Sequence, residues 1–376
     1  MRLQNLPVLK LEPRPEPSRR MAYASPLIAV ALTLASGYLL FSLLGKDPVQ
    51  AFQVFFVKPV QTRYGVGELL LKATPLILCA TGLALAFRAN VWNIGAEGQL
   101  VIGAIVGGGI ALQFSDVQAG WLLPLMLLGG MAGGMAWAAI PALLRTRFHT
   151  SEILVSLMLV YVAQLLLSYL VHGPWRDPAG YNFPQSPMFQ DAALLPVLAE
   201  GVRTNWAFLL ALVLAALSWV FAEKTFAGFR LKVSGLAPGA ASYAGFTEKR
   251  NIWLTLLLSG ATAGLAGIAE VAGPIGQLQP SVSPGYGFAA IIVAFVGRLH
   301  PLGVVLASLL MSLLYIGGET AQIQMSLPAA VTGVFQGMLL FFLLAADLFI
   351  HFRIKSAAKH PAPGRAAGIA AQEKAA

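Results

Sequence analysis

The chain has 376 residues, 57% of them hydrophobic and only 11% charged, and its mean hydropathy is +0.73. Soluble domains carry about a quarter charged residues, so this composition excludes a water-soluble globule. The net charge of +9 does not mark a nucleic-acid binder, because the basic residues fall in tails and short loops rather than on one amphipathic face.

Residues 1–25 are proline-rich and basic and read as a disordered cytoplasmic tail. The first apolar run, Pro26 to Leu44, lacks an A-x-A cleavage pattern and is expected to be an uncleaved span. The segment 45–68 reads as a surface-lying helix outside the membrane. Apolar runs of about 20 residues, enough to cross a ~30 Å hydrocarbon core, recur near 69–87, 98–114, 121–144, 153–171, 206–222, 252–271, 301–317 and 328–349, and a shorter one covers 286–298. The pattern predicts an all-α polytopic transmembrane helix bundle of about ten spans over residues 26–350, followed by a basic cytoplasmic tail, 351–376. Segments of roughly 10 residues with alternating polarity, the mark of a transmembrane barrel, are not found. The single cysteine, Cys79, lies inside an apolar run and reads as a buried, inert thiol.

Loop charge orients the bundle, because Lys and Arg are retained on the cytoplasmic side. Arg145 and Arg147, the loop 223–250 and the C-terminal tail are basic and fall on the side of the N-terminal tail. The loop 172–205 falls opposite. Both termini are therefore expected in the cytoplasm.

Small-xxx-small pairs such as Gly129/Gly133, Gly130/Gly134 and Gly260/Gly264 suit close helix packing in lipid. Two stretches break the apolar pattern at comparable places in the two halves of the chain: Arg88–Gln99 and Gly273–Gly287. The span after the second is short enough to be a half-helix. Paired breaks of this kind point to a transport site near the bilayer midplane. Within the first, Asn93, Ile94, Gly95, Ala96, Glu97, Gly98 and Gln99 form a polar, flexible kink. The kink either lines a pathway or caps a helix start, with Glu97 near a positive dipole end. Glu270, Glu319 and Asp347 fall near span ends and are expected to snorkel to the interface, with a place on the pathway as the alternative.

N-I-G-A-E-G-Q followed by a glycine-rich apolar helix closely resembles the signature of permease subunits from nucleoside and simple-sugar ABC importers, within the branched-chain amino acid, ribose and nucleoside permease superfamily. Trp92 stands where phenylalanine is more usual. In the cytoplasmic loop, Gly235, Leu236, Ala237, Pro238, Ala240, Ala241, Tyr243, Ala244 and Gly245 read as a short helix, with Pro238 in its first turn and Gly245 at its exit. The stretch resembles the coupling helix of the same family, which docks in a groove of the ATP-binding subunit. Ala237 replaces the usual asparagine there and puts the helix's N-terminal hydrogen bonding in question. The resemblance covers roughly residues 45–350.

The resemblance implies a permease subunit that forms the translocation pathway for nucleosides or related pentoses, with residues 93–99 on the pathway and 235–245 as the coupling element. It implies a cytoplasmic ATP-binding subunit, a periplasmic or lipoprotein substrate-binding protein and a second, homologous but distinct permease in a bacterial inner membrane. No phosphate-binding G-x-x-x-x-G-K-S/T, H-E-x-x-H, Cys/His cluster or nucleophile elbow occurs, so no catalytic residue, metal ligand or cofactor is expected. An ion-coupled secondary transporter of a small polar solute is the alternative, motivated by Glu97, Glu270 and the broken helices. An intramembrane enzyme would need a convergent catalytic set that the sequence does not offer.

Overall fold

The computed structural model describes residues 8–14 and 19–357, which divide into two compact units. The smaller comprises residues 1–36 and 338–376. In it β1 (Val8–Pro13) pairs antiparallel with β2 (Phe352–Ala357), Val8 opposite Ala357 and Pro13 opposite Phe352. Arg353 Nη2 lies 3.4 Å from a Glu12 carboxylate oxygen. Both strands lie in the tails, where no ordered element was expected. L-K-L-E and F-R-I-K alternate with the period of a strand, over runs too short to stand out against the surrounding prolines and charges. Residues 1–7, 15–18 and 358–376 of those tails lie outside the described residues.

The helices in chain order are α1 (Arg19–Leu43), α2 (Pro48–Phe52), α3 (Arg63–Arg88), α4 (Ala96–Gln113), α5 (Leu122–Phe148), α6 (Glu152–His172), α7 (Trp206–Lys224), α8 (Phe226–Leu236), α9 (Pro238–Tyr243), α10 (Glu248–Glu270), α11 (Tyr286–Val296), α12 (Pro301–Met325) and α13 (Ala330–His351). Nine of them are long and apolar enough to cross a membrane, among the described residues: α1, α3 to α7, α10, α12 and α13. With 11 residues, α11 rises about 16 Å, roughly half a hydrocarbon core. It is the half-helix anticipated at 286–298, and the chain is an all-α polytopic bundle.

Several starts follow from capping side chains, which accept N–H groups that have no partner in the first turn. Thr62 accepts the Gly65 N–H at 3.0 Å ahead of α3, Asn205 the Ala207 N–H at 3.1 Å ahead of α7, and Thr225 the Gly228 N–H at 3.1 Å ahead of α8. The expected surface helix at 45–68 is α2 with two tight turns, reaching residue 60. Its Phe52, Phe55 and Phe56 gather with Phe41 and Phe335, ring centroids 5.0 to 6.3 Å apart.

Within residues 37–337 the most buried spans are α3, α4 and α10. The small-residue pairs explain why α10 can lie against α5. A Cβ on Gly264 would collide with the Gly130 carbonyl, and one on Gly134 with the Gly260 carbonyl. The two backbones meet directly, as lipid-phase packing without a hydrophobic driving force favours. Gly129 and Gly133 instead face Ile110 and Val106 of α4.

Candidate functional site

Chain break and half-helix meet at one carboxylate. After α3 the chain turns through Asn90, at a φ of +57°, and runs non-helically to the start of α4. Asn93 is 0% exposed, Glu97 2% and Gln99 1%. The Asn93 amide donates to Gln99 Oε1 and to Ser259 Oγ of α10, both at 2.9 Å. Its oxygen accepts the Gly95 N–H at 3.0 Å and Gln99 Nε2 at 3.1 Å. Ser156 of α6 accepts the Ile94 N–H at 3.2 Å. Buried polar groups hydrogen-bond because leaving them open is costly, and here every partner comes from the motif or from a helix packed on it.

Glu97 lies in the first turn of α4, and its carboxylate accepts the Gly287 N–H of α11 at 2.7 Å. The two interrupted stretches of the sequence are therefore in contact. Gly287 is obligatory at this crossing, because a Cβ there would strike the Glu97 backbone. Ser283 fixes the entry to α11, accepting the Gly285 and Tyr286 N–H groups at 3.1 and 3.0 Å. At the other end of the first break, Arg88 pairs with Glu223 at 2.6 Å and donates to the Leu299 carbonyl at 2.9 Å. Phe87, Trp92 and Phe295 stack beside it.

A cavity of about 420 Å³ opens between the first turns of α3 and the second break, lined by Glu68, Lys72, Arg203, Glu270, Gln277 and Tyr286 among others. Motif residues 93–99 do not line it; they hold Gly287, the residue after Tyr286 in its wall. The loop between α6 and α7 closes over this end by main-chain bonds to the second break and the residue before it: Leu195 N–H to Ala272 O at 2.8 Å, Phe189 N–H to Gly276 O at 2.8 Å and Ser186 N–H to Leu278 O at 2.9 Å. Arg203 of that loop lies 3.5 Å from Glu68 and donates to the Pro274 carbonyl at 3.2 Å. Burial alone would lower the pKa of its guanidinium, yet a hydrogen bond with Tyr64 and the nearby Glu68 carboxylate carry it above the ordinary arginine value. Lys72 pairs with Glu319 at 2.8 Å. Glu270 and Glu319, expected at the interface as single snorkelling groups, thus belong to one polar cluster. No sequence motif marks it, because its members lie on four helices and two loops.

At the opposite end of α3, α9 is a single capped helix. Phe246 N–H bonds the Ala241 carbonyl at 2.9 Å and Gly245 N–H the Ser242 carbonyl at 3.0 Å, with Gly245 at a φ of +77°. This is a Schellman ending, which only glycine enters without strain. Ala237 at the N-cap supplies no side-chain bond, as the loss of asparagine predicts. Ala241 is buried, whereas Tyr243 is 98% exposed and Leu236 78%. The base of α9 is tied down indirectly. Gly235 packs on the Arg88 carbonyl, Asn251 donates to Ser234 at 2.7 Å, and Arg145 pairs with the buried Glu152 and reaches Glu248 at 3.5 Å. In α8, burial and nearby Arg250 lower the pKa of Arg230. No group of three or more His, Cys, Asp or Glu side chains that could hold a metal ion occurs among the described residues.

The family described as "branched-chain amino acid transport system / permease component" matches residues 65–344. The chain is 38% identical to the glucose ABC transporter permease protein TsgB13 of Haloferax volcanii, over 92% of this chain and 93% of that protein. It is 32% identical to the guanosine ABC transporter permease protein NupP of Bacillus subtilis, over 87% and 94%. It is 28% identical to the nucleoside ABC transporter permease protein NupB of Lactococcus lactis, over 85% and 89%. A bundle of membrane-length helices, two breaks joined at Glu97 and a match spanning both breaks and α9 lead to one assignment: the chain is a multi-pass membrane permease and belongs to the branched-chain amino acid transport system permease family.

Proposed function

We propose that this chain is the membrane-spanning subunit of an ABC importer for nucleosides or related pentoses, without enzymatic activity of its own. The observation that carries the reading is the full-length similarity to ABC transporter permease proteins for guanosine and nucleosides, in a chain that also bears the N-I-G-A-E-G-Q stretch. In this reading the protein lies in a bacterial inner membrane with both termini in the cytoplasm, so that α9 faces inward and the α6–α7 loop outward. A separate ATP-binding subunit docks on the exposed side of α9 around Leu236, Pro238 and Tyr243. A binding protein delivers solute at the opposite end, and a homologous permease completes the pathway. Residues 93–99 serve that pathway as the joint beneath it, where α4 and α11 meet.

A second reading, uptake of a hexose, is favoured by the 38% identity to the glucose permease of H. volcanii. Both are tested by uptake of labelled guanosine, ribose and glucose in cells with and without this chain, its ATPase and binding protein present. Chain-dependent guanosine uptake that glucose does not compete supports the nucleoside reading, and glucose-only uptake selects the hexose. Uptake that survives loss of every ATPase partner overturns the ABC assignment in favour of an ion-coupled carrier.

A further inference from the structure

The polar cavity beside α3 is explained by neither sequence motif. We infer that it is a holding site for an uncharged, polyhydroxylated solute, a sugar ring alone or within a nucleoside, and that it rejects the phosphorylated forms; the inference rests on the permease reading above.

Its volume of about 420 Å³ falls in the range of small-molecule sites, about 300–1,000 Å³. The charges around it decide what can enter. Arg203 is committed to Glu68 and to the Pro274 carbonyl, and Lys72 to Glu319. A phosphate would bring further negative charge to a site whose described cations, Lys72 and Arg203, are already paired, and a desolvated anion without a partner is strongly disfavoured. Lys72 and Arg203 act on Glu270 only from nearby, without a hydrogen bond to it, which leaves its carboxylate open to a solute.

What stays available is acceptor chemistry. The Glu270 carboxylate receives no hydrogen bond among the described residues. Gln277 Oε1 is buried without a partner, while its Nε2 is held 3.2 Å from Gln185. The two Glu270 carboxylate oxygens match the O–H groups of vicinal hydroxyls, and the enclosed Gln277 Oε1 leaves an unpaired acceptor in the cavity wall. Tyr286, 2% exposed, closes the cavity wall with its ring and presents no open face to a solute. That ring is fixed edge-on to Tyr315 at 5.6 Å, and its main chain is pinned by Ser283 and, one residue on, by Glu97. The site is thus pre-formed on rigid supports.

The test uses the complete importer in cells and the labelled guanosine and glucose of the uptake assay. Glu270→Gln and Gln277→Ala are each expected to raise the KM for the transported probe about tenfold, a loss of about 1.4 kcal/mol, with maximal rate and membrane abundance little changed. Gln279→Trp, at a residue that lines the cavity, should block uptake while the chain still co-purifies with its ATPase. Guanosine monophosphate and glucose 6-phosphate in hundredfold excess should not compete. Unchanged KM in both acceptor variants, free uptake by Gln279→Trp, or competition by the phosphorylated compounds equal to that of their parents overturns the inference alone. Absence of any chain-dependent uptake in the wild type overturns the permease reading itself, and this site with it.

Discussion

The carboxylate of Glu97 at the start of α4 accepts the N–H of Gly287 at the start of α11, 2.7 Å away. One side chain thereby serves two helix beginnings, each of which carries unpaired N–H groups and a positive dipole end. The contact spans 190 residues of sequence and closes the junction between the two halves of the chain.

Glu97→Ala should leave that junction open. An unsatisfied buried N–H costs about 1–3 kcal/mol, so thermal unfolding in detergent should show a clear fall in midpoint and uptake should be lost. Glu97→Gln keeps an acceptor oxygen and should fall between the wild type and Glu97→Ala. Equal midpoints for all three would mean that the contact is unimportant.

Gly287→Ala probes the same crossing through shape. Its Cβ would meet the Glu97 main chain, which cannot swing aside, so membrane abundance should drop sharply. Gly120→Ala, where nothing lies within 4 Å, should behave as the wild type. Gly264→Leu should repeat the loss, because it separates α5 from α10.

Tyr243→Glu acts on a side chain that is 98% exposed. Membrane insertion and stability should be unchanged within about 0.5 kcal/mol, as for surface substitutions in general, while co-purification with the ATP-binding subunit should fall at least tenfold. Full retention of the complex would remove α9 from the docking surface.

Arg145→Ala leaves the buried Glu152 without its cation. The expected loss of stability is about 1–3 kcal/mol, at the lower end because Arg145 itself reaches solvent. Adding Glu152→Gln should recover part of the loss, and a double-mutant cycle measures the coupling. Additivity within error would show that the pair contributes nothing.

The spans were legible because twenty apolar residues in a row have few alternatives to a membrane helix. Glu97 was legible too, both as a polar intrusion and as a group fit for a helix start, although its own helix was only half of the answer. Gly130/Gly134 and Gly260/Gly264 announced close packing but could not say that they would meet each other. The polar cavity was hidden for a different reason. Glu68, Lys72, Arg203 and Glu270 are ordinary when read locally, and Glu270 passed as a snorkelling group until the fold brought α3, α10 and the α6–α7 loop together. The strands β1 and β2 were missed because neither has a period long enough to compete with the prolines and charges beside it, and each is completed only by the other.

Cys79 holds the only sulfhydryl in the chain, and it is fully buried in α3. Thiol chemistry requires access, so the wild-type chain is expected to be silent toward bulky maleimides. A cysteine introduced at Tyr181, 94% exposed in the α6–α7 loop, or at Tyr243 would be the one reactive position. Whether an impermeant reagent finds it from outside an intact cell then reports which end of the bundle faces out, and no background residue has to be removed first.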